Sequence, residues 1–365
     1  MNTLKSIKHD AIYMIVPYGI GDAMILCGLK KYIEDSYGAE VVPVLKPSQE
    51  IVARLYGITK YRLETFDNEK LKQLANTVHK PTPGKYFVAH PAYGNKMLNL
   101  RFLNHEISFT DMFCEFFGIN RGLRIAYPPE FPKAASDLKR RVGCSDFKDI
   151  ILFAPEMKSA SESERIQDNI FLELIREYEN KGYKVIVNCD IHREFYVDYF
   201  LDMSLEELAY IGMRAGKVIS SRSGFCDLMY GFVEDMDILY PNQAFYDLFG
   251  MKRIFLSENL SVSEKVFPLA HELRKKGFSN AAIYGYGNVG RRVRYSLAVE
   301  NFDVMYVIDR CEILERDVER YDISQQLPEV DVVIISIADD GDIKKTLRKR
   351  GFNALFLKEV MRGNN

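Results

Sequence analysis

The sequence predicts an α/β protein made of three tandem units, each an open parallel sheet flanked by helices. Two observations carry that prediction. Short apolar runs alternate with amphipathic stretches along the whole chain, and the alternation restarts twice, near Asp149 and again after Ser261. A third observation bounds it: 365 residues exceed what one ordinary core holds.

In the first unit, AIYMIVP (Ala11 to Pro17) reads as a buried strand. The following DAMILCGLKKYIEDSYG sets Met24, Cys27, Leu29 and Ile33 near one helical face and ends at Gly38, a residue suited to a helix stop. AEVVPVL is the second strand, SQEIVARLYG a helix opened by Ser48 and closed by Gly57, and KYFVAHP (Lys85 to Pro91) a later strand. ISFTDMFCEFFGIN adds an aromatic helix, and the Pro-rich YPPEFPKAAS marks a linker. In the second unit DIILFAP, YKVIVNC, KVISS and DILYP are strands. DNIFLELIREYENKG, SLEELAYIGMRAG and GFCDLMYGF are helices, and Ser204 with Glu207 forms a capping box. In VSEKVFPLAHELRKKG, Val266, Leu269 and Leu273 have helical spacing. Beyond it, NAAIYGYGNVGRRVRYSLAVENFDVMYVIDR reads as strand, glycine turn, helix and strand, and DVVIISIAD as a later strand. The expected units are 1–140, 141–261 and 262–365, two Rossmann-like domains followed by a third, smaller one.

Composition excludes several classes of function. With 47% hydrophobic and 27% charged residues the chain is globular, and 49 basic against 51 acidic residues leave a net charge of −2. No basic run interleaves with aromatics, so nucleic acid is not an expected partner; LRKRG at Leu347 to Gly351 is the solvated end of a helix. The six cysteines form no CxxC pair, which fits a reduced cytoplasmic compartment and gives no metal site. The first ten residues lack a continuous apolar segment, and AIYMIVP is too short for a signal or membrane core. Any membrane contact is therefore expected to be peripheral, at the inner face.

Open α/β sheets bind ligands beyond the carboxyl ends of their strands, which singles out five loops: 18–22, 90–96, 155–165, 190–193 and 221–227. Asp22 is the sharpest candidate. Gly19 and Gly21 permit close backbone approach, and Asp22 then starts a helix, where it is either a cleft carboxylate or an N-cap.

GIGDAMILCGLKKYIEDSYGAEVVPVL resembles the first strand, turn and helix of the heptosyltransferase-like glycosyltransferases, family nine of the GT-B fold. The resemblance implies a GT-B-like pair of domains, with the first on the acceptor side and the second on the donor side. It also implies that Asp22 is the base that deprotonates the acceptor hydroxyl. IILFAPEMKSAS and SLEELAYIGMRAGKVISSRSGFCDLM are similar to the donor half, so the likeness spans Ala11 to Leu256 in pattern more than in identity. The chain departs from the family at Arg222 and Asp227, where an acid and a histidine are usual, and at Ile166, where a tryptophan is common. ADP-heptose is therefore not singled out among nucleotide sugars.

For the donor diphosphate the candidates are Lys158, Arg165 and Arg222 as cations, with Ser223 and Gly224 offering a hydroxyl and backbone N–H groups at a helix start. Arg222 has the alternative of an ion pair with Asp227, and the other two that of a solvated loop. Such groups need no metal to stabilise a leaving diphosphate. Asp235-Met236-Asp237 matches a DxD metal motif formally but precedes a strand, the wrong end for a ligand. His90 ends a strand and precedes Pro91 and Gly94; a satisfied strand-end histidine is its first reading and acceptor binding its second.

The later loop GYGNVG fits GxGxxG through Gly285, Gly287 and Gly290, and Asp309 ends the next strand at about the 20-residue spacing of a ribose-binding acid. It resembles the small nucleotide-binding modules attached to polysaccharide-assembly proteins. NAD(P) or a nucleotide sugar is the ligand such a loop would hold, with docking as the alternative use. The sequence thus points to an inverting, metal-independent transferase that moves a sugar from a nucleotide donor to a glycan or lipid-linked acceptor in cell-surface polysaccharide biosynthesis, such as lipopolysaccharide or capsule. An NAD(P)-dependent sugar-nucleotide oxidoreductase and a non-catalytic assembly protein are the other two readings.

Overall fold

The structure is a computed structural model describing residues 10–134, 136–157, 164–189, 193–199, 201, 203–313, 317–338 and 342–361. It is a mixed α/β protein with three parallel sheets. In the first, β1 (Ala11–Ile15), β2 (Glu40–Leu45), β3 (Arg62–Leu63) and β4 (Tyr86–Val88) lie in the order β3-β2-β1-β4. Its helices are α1 (Ile20–Tyr37), α2 (Glu50–Leu55), α3 (Asn68–Thr77), α4 (Pro91–Gly94), α5 (Lys96–Leu103) and α6 (Phe109–Phe117). All five residues of β1 are buried, as a strand covered on both faces requires. Gly38 ends α1 in the left-handed region at φ 61°, its N–H donating to the Glu34 carbonyl.

The second sheet contains β5 (Ile150–Ala154), β6 (Lys184–Val187), β7 (Lys217–Ser221), β8 (Met236–Tyr240) and β9 (Val262–Val266), in the order β6-β5-β7-β8-β9. Among its helices are α7 (Leu138–Val142), α8 (Asp168–Asn180), α9 (Leu205–Gly212), α10 (Gly224–Met229) and α11 (Gln243–Phe249). Strand β9 corrects one expectation. Residues 262–266 are not the start of a helix but pair with β8 from Met236↔Val262 to Tyr240↔Val266, so the second sheet runs past residue 261. Their burial alternates with period two, which fits an edge strand, and only beyond Pro268 does a helix begin.

The third sheet, in the order β12-β11-β10-β13-β14, is built from β10 (Asn280–Tyr284), β11 (Asp303–Ile308), β12 (Arg320–Tyr321), β13 (Val332–Ile335) and β14 (Ala354–Phe356). Helices α12 (Leu269–Lys275), α13 (Asn288–Val299), α14 (Asp342–Lys349) and α15 (Leu357–Val360) accompany it.

The third sheet has its own apolar clusters on its two faces, around Val293 and Leu297 on one and Ile335 and Leu347 on the other. The first two sheets share a continuous core that runs from Ile12 and Met24 through Phe113 to Leu152, Met229 and Phe255. Helix α1 packs along α10, and a Cβ added at Gly28 would come within 2.7 Å of the Ile125 side chain, which itself bridges to Phe255. The carboxyl ends of β1 and β7 are thereby brought together. No described helix is long and apolar enough to cross a membrane.

Candidate functional site

Beyond β1 the chain turns at Tyr18 and enters α1 with Gly19 at the N-cap. Asp22 is the third residue of the helix, so it is not the cap. Its carboxylate reaches back to accept the Gly19 N–H, the acidic half of a capping box. The turn is fastened from the end of β2: Gln49 Nε2 donates to the carbonyls of Tyr18 and Gly19, both at 2.9 Å, and Lys46 Nζ donates to Tyr18 O at 3.1 Å. Burial pushes the Asp22 carboxyl up to about 7, helped by the negative charge of Asp227 and opposed by the Gly19 N–H and Lys46. A carboxyl held near neutrality at a strand end has the protonation balance of a general base.

His90 lies at the end of β4, its Nδ1 accepting the Ala92 N–H at 3.1 Å. Burial lowers it to about 4, so the ring is neutral with its proton on Nε2. Its plane meets the Tyr18 ring edge-on at 4.6 Å between centroids.

Across from Asp22 stands the start of α10. Gly21 and Gly224 are each required by the approach of the two turns: a Cβ at Gly21 would sit 2.6 Å from Asp227 Oδ2, and one at Gly224 would sit 3.0 Å from Gly21 N. Ser223 is the N-cap of α10 but caps nothing with its side chain. A diphosphate placed between the two turns would have to part them.

Arg222 does not present itself to a ligand. It is 6% exposed, and NH1 and NH2 donate to the two oxygens of Asp227 at 3.0 and 2.8 Å. NH1 also donates to Ser223 O at 2.7 Å, and Nε to Phe249 O at 2.8 Å. The expected phosphate role gives way to the alternative, a buried ion pair that braces the α10 turn. Burial and this pairing act oppositely on Asp227, and burial prevails, so its carboxyl is raised.

Of the other expected donor contacts, Lys158 lies outside the described residues. Arg165 is described, and its Nε is buried with no hydrogen-bond partner. Four other described atoms share that condition: Glu264 Oε2 and Glu300 Oε1 elsewhere in the fold, and, near strand carboxyl ends, Ser221 Oγ at the end of β7 and Asn242 Nδ2 just past β8. Ser221 and Asn242 were not among the expected site residues, although both occupy the first positions at or after a strand's carboxyl end. Strands β5, β7 and β8 are neighbours, so three unsatisfied polar atoms belong to the loops and ends of consecutive strands. Asp235 and Asp237, by contrast, pair with Lys217 and Lys265 at 2.9 and 2.8 Å at the opposite end of β8. Among the described residues no three His, Cys, Asp or Glu side chains are gathered to hold a metal.

The glycine loop after β10 is tightly built. Gly285 is left-handed at φ 85°, and a Cβ at Gly290 would stand 2.1 Å from the Gly285 carbonyl oxygen. A Cβ at Gly287 would meet open space. Asp309 accepts the Tyr286 N–H at 2.5 Å through one carboxylate oxygen and the Cys311 N–H of its own turn at 2.8 Å through the other, so both oxygens are already engaged.

Helix α13, which follows this loop, docks on both other units. Arg292 Nε donates to Glu164 Oε1 at 2.7 Å and its NH2 to Oε2, and Glu164 is 0% exposed. Ser296 Oγ accepts the Ala244 N–H at 2.9 Å, beside Asn242. Tyr295 stacks on His105 of the first unit at 4.1 Å between centroids, 9° from parallel.

No protein-family model matches the chain, and no curated protein matches it. Among solved structures, a glycosyl transferase of family 9 from Veillonella parvula is similar at 14% identity over 74% of this chain and 90% of that one, with a TM-score of 0.48. The ADP-heptose LPS heptosyltransferase II of E. coli is similar at 11% identity over 69% and 89%, with a TM-score of 0.47. The E. coli heptosyltransferase WaaC with ADP-2-deoxy-2-fluoro heptose is similar at 12% identity over 70% and 92%, with a TM-score of 0.41.

Proposed function

We propose that this chain is a GT-B-like glycosyltransferase whose first unit takes the acceptor and whose second takes a nucleotide-sugar donor. One observation carries the reading. Asp22, with its carboxyl near 7, sits at the carboxyl end of β1 facing the second unit, fastened by Gly19 and flanked by Lys46. In the reaction, an Asp22 oxygen takes the proton from an acceptor hydroxyl, whose oxygen bonds to the anomeric carbon as the bond to the diphosphate breaks. Attack opposite the leaving group inverts the configuration. The charge that develops on the diphosphate needs donors, and Arg165, a partly exposed cation in the loop after β5 whose Nε has no hydrogen-bond partner, is the described candidate; Ser221 and Asn242 are as buried as Arg222 and would serve only if the two turns part. Arg165 then takes the role expected of Arg222, and a cation of that kind requires no metal.

The acceptor class is a glycan or lipid-linked sugar of cell-surface polysaccharide such as lipopolysaccharide, and the place of work is the cytoplasm, at most peripheral to the inner membrane face. The third unit is read as a Rossmann-like module, with the backbone at Gly287 open to NAD(P) or a nucleotide sugar. Asp22→Asn tests the assignment: transfer should fall at least about a hundredfold, the scale of a lost general base. Donor binding, read as a thermal shift across a nucleotide-sugar panel, should remain. Undiminished transfer in the variant removes Asp22 from the mechanism.

A second reading, a non-catalytic assembly protein, is favoured by the Gly21–Gly224 contact and by the closure of Arg222 on Asp227, since both fill space that a donor would use. A panel that leaves the wild-type melting temperature unmoved selects it.

A further inference from the structure

Tyr18 is a large aromatic residue with 46% of its surface exposed, set between β1 and Asp22. An exposed tyrosine on a turn ordinarily swings freely in water. This one is held on several sides. Its ring meets His90 edge-on at 4.6 Å and lies 5.7 Å from the Tyr93 ring. Its hydroxyl is hydrogen-bonded to Tyr93, whose own hydroxyl donates to Asn68 Oδ1 at 2.7 Å. His90 in turn packs edge-on against Phe113, which is fully buried. The backbone below Tyr18 is pinned by Lys46 and Gln49. Core aromatic, neutral imidazole and exposed phenol thus form a rigid ladder that ends in open solvent beside a carboxyl and an ammonium group.

Such an arrangement suits one kind of ligand. A fixed aromatic face offers apolar contact with little side-chain entropy to lose, and the apolar C–H face of a pyranose ring is flat enough to lie on it. Close by are two groups that bind hydroxyls: the Asp22 carboxyl, whose charge acts on the Tyr18 hydroxyl, and the Lys46 ammonium, which sits on the Tyr18 carbonyl. A phosphate would gain nothing from the aromatic face, and a purely apolar ligand would leave the charged groups unserved.

We infer that Tyr18, braced by His90 and Tyr93, is a stacking platform for a pyranose ring of the acceptor, a sugar subsite beside Asp22. The inference rests on the transferase reading for the word acceptor, though the sugar subsite itself does not. In that reading the ring on Tyr18 belongs to the unit whose hydroxyl Asp22 deprotonates, and the platform supplies binding while Asp22 supplies the chemistry.

The chain contains no tryptophan, so Tyr18→Trp places a single indole reporter on the platform. The probe is a panel of methyl pyranosides of gluco, galacto, manno and N-acetylglucosamine configuration, with their disaccharides. The expected result is a saturable change in indole emission that persists when Asp22→Asn is added. In parallel, Tyr18→Ala should raise the KM for the sugar acceptor about tenfold while leaving kcat within roughly threefold, and Tyr18→Phe should stay near wild type, as stacking without the hydroxyl predicts. Saturable emission without transfer in the wild type upholds the platform and overturns the transferase reading. Transfer with silent emission and an unchanged KM in Tyr18→Ala overturns the platform and leaves the reading intact. If Tyr18→Trp fails to fold, saturation-transfer NMR of the same sugars on wild type and Tyr18→Phe decides, and absence of a saturable signal on both overturns the inference.

Discussion

Arg292→Ala should destabilise the whole chain, because it takes the guanidinium away from a carboxylate buried in the interface between the second and third units. Glu164 is fully buried, and Arg292, 13% exposed at its side chain, grips both of its oxygens. Removing one partner of a buried ion pair costs about 3–5 kcal/mol, since the remaining charge keeps its desolvation cost and loses its compensation. At about 4 °C per kcal/mol for units of roughly 100–150 residues, the melting midpoint should fall by about 12–20 °C. Differential scanning calorimetry reads the midpoint, and limited proteolysis near Pro268 reads whether the third unit has come loose. Adding Glu164→Gln to Arg292→Ala removes the buried charge and should recover part of the loss, so the double-mutant cycle measures the coupling of the pair. A midpoint drop below about 2 °C for Arg292→Ala would refute the reasoning and show that α13 is not held by this pair.

Three further outcomes follow from the same geometry. Gly290→Ala pushes a Cβ to 2.1 Å from the Gly285 carbonyl oxygen, a backbone atom that cannot move aside cheaply; circular dichroism melts should show a loss of at least about 1–3 kcal/mol, the scale of overpacking. Asp227→Ala leaves the Arg222 cation buried without its carboxylate and should cost about 3–5 kcal/mol in denaturant melts. Asp22 gives a pH signature in stability: its folded value is near 7 against an ordinary 3.8, so between these values the unfolded chain sheds a proton that the folded chain keeps. Stability should therefore decline as pH rises from about 4 to 7, by on the order of a few kcal/mol at most, and Asp22→Asn should lack that decline in denaturant midpoints across pH.

Much of the fold was legible because it rests on local signals. Five consecutive apolar residues announce β1, Ser204 with Glu207 announces the start of α9 through a reciprocal capping box, and Gly38 announces the end of α1. Strand β9 was not legible, since Val266, Leu269 and Leu273 also fit a helical period and only pairing with β8 separates the two. Within the site, the glycines at 19 and 21 and the acid at 22 could be singled out from sequence, but the place of Asp22 as third helical residue rather than cap depends on where the turn enters α1. Whether Arg222 meets a ligand or Asp227 is a matter of burial, which one sequence does not encode locally. The unsatisfied atoms of Ser221 and Asn242 are equally a property of three dimensions, because a polar atom is unsatisfied only once its surroundings are packed. The docking face of α13 was hidden because Arg292, Tyr295 and Ser296 read as an ordinary polar helix surface until Glu164, His105 and Ala244 are brought against them.

The central claim is that Asp22 is the base in sugar transfer, and the pH dependence of transfer at saturating donor tests it most directly. The account predicts that the wild-type rate falls about tenfold per pH unit below an apparent value near 7, as the carboxyl takes up its proton. Asp22→Asn should show a rate at least about a hundredfold lower, with that acidic limb absent. An Asn variant that transfers at the wild-type rate, with the acidic limb still present, would contradict it.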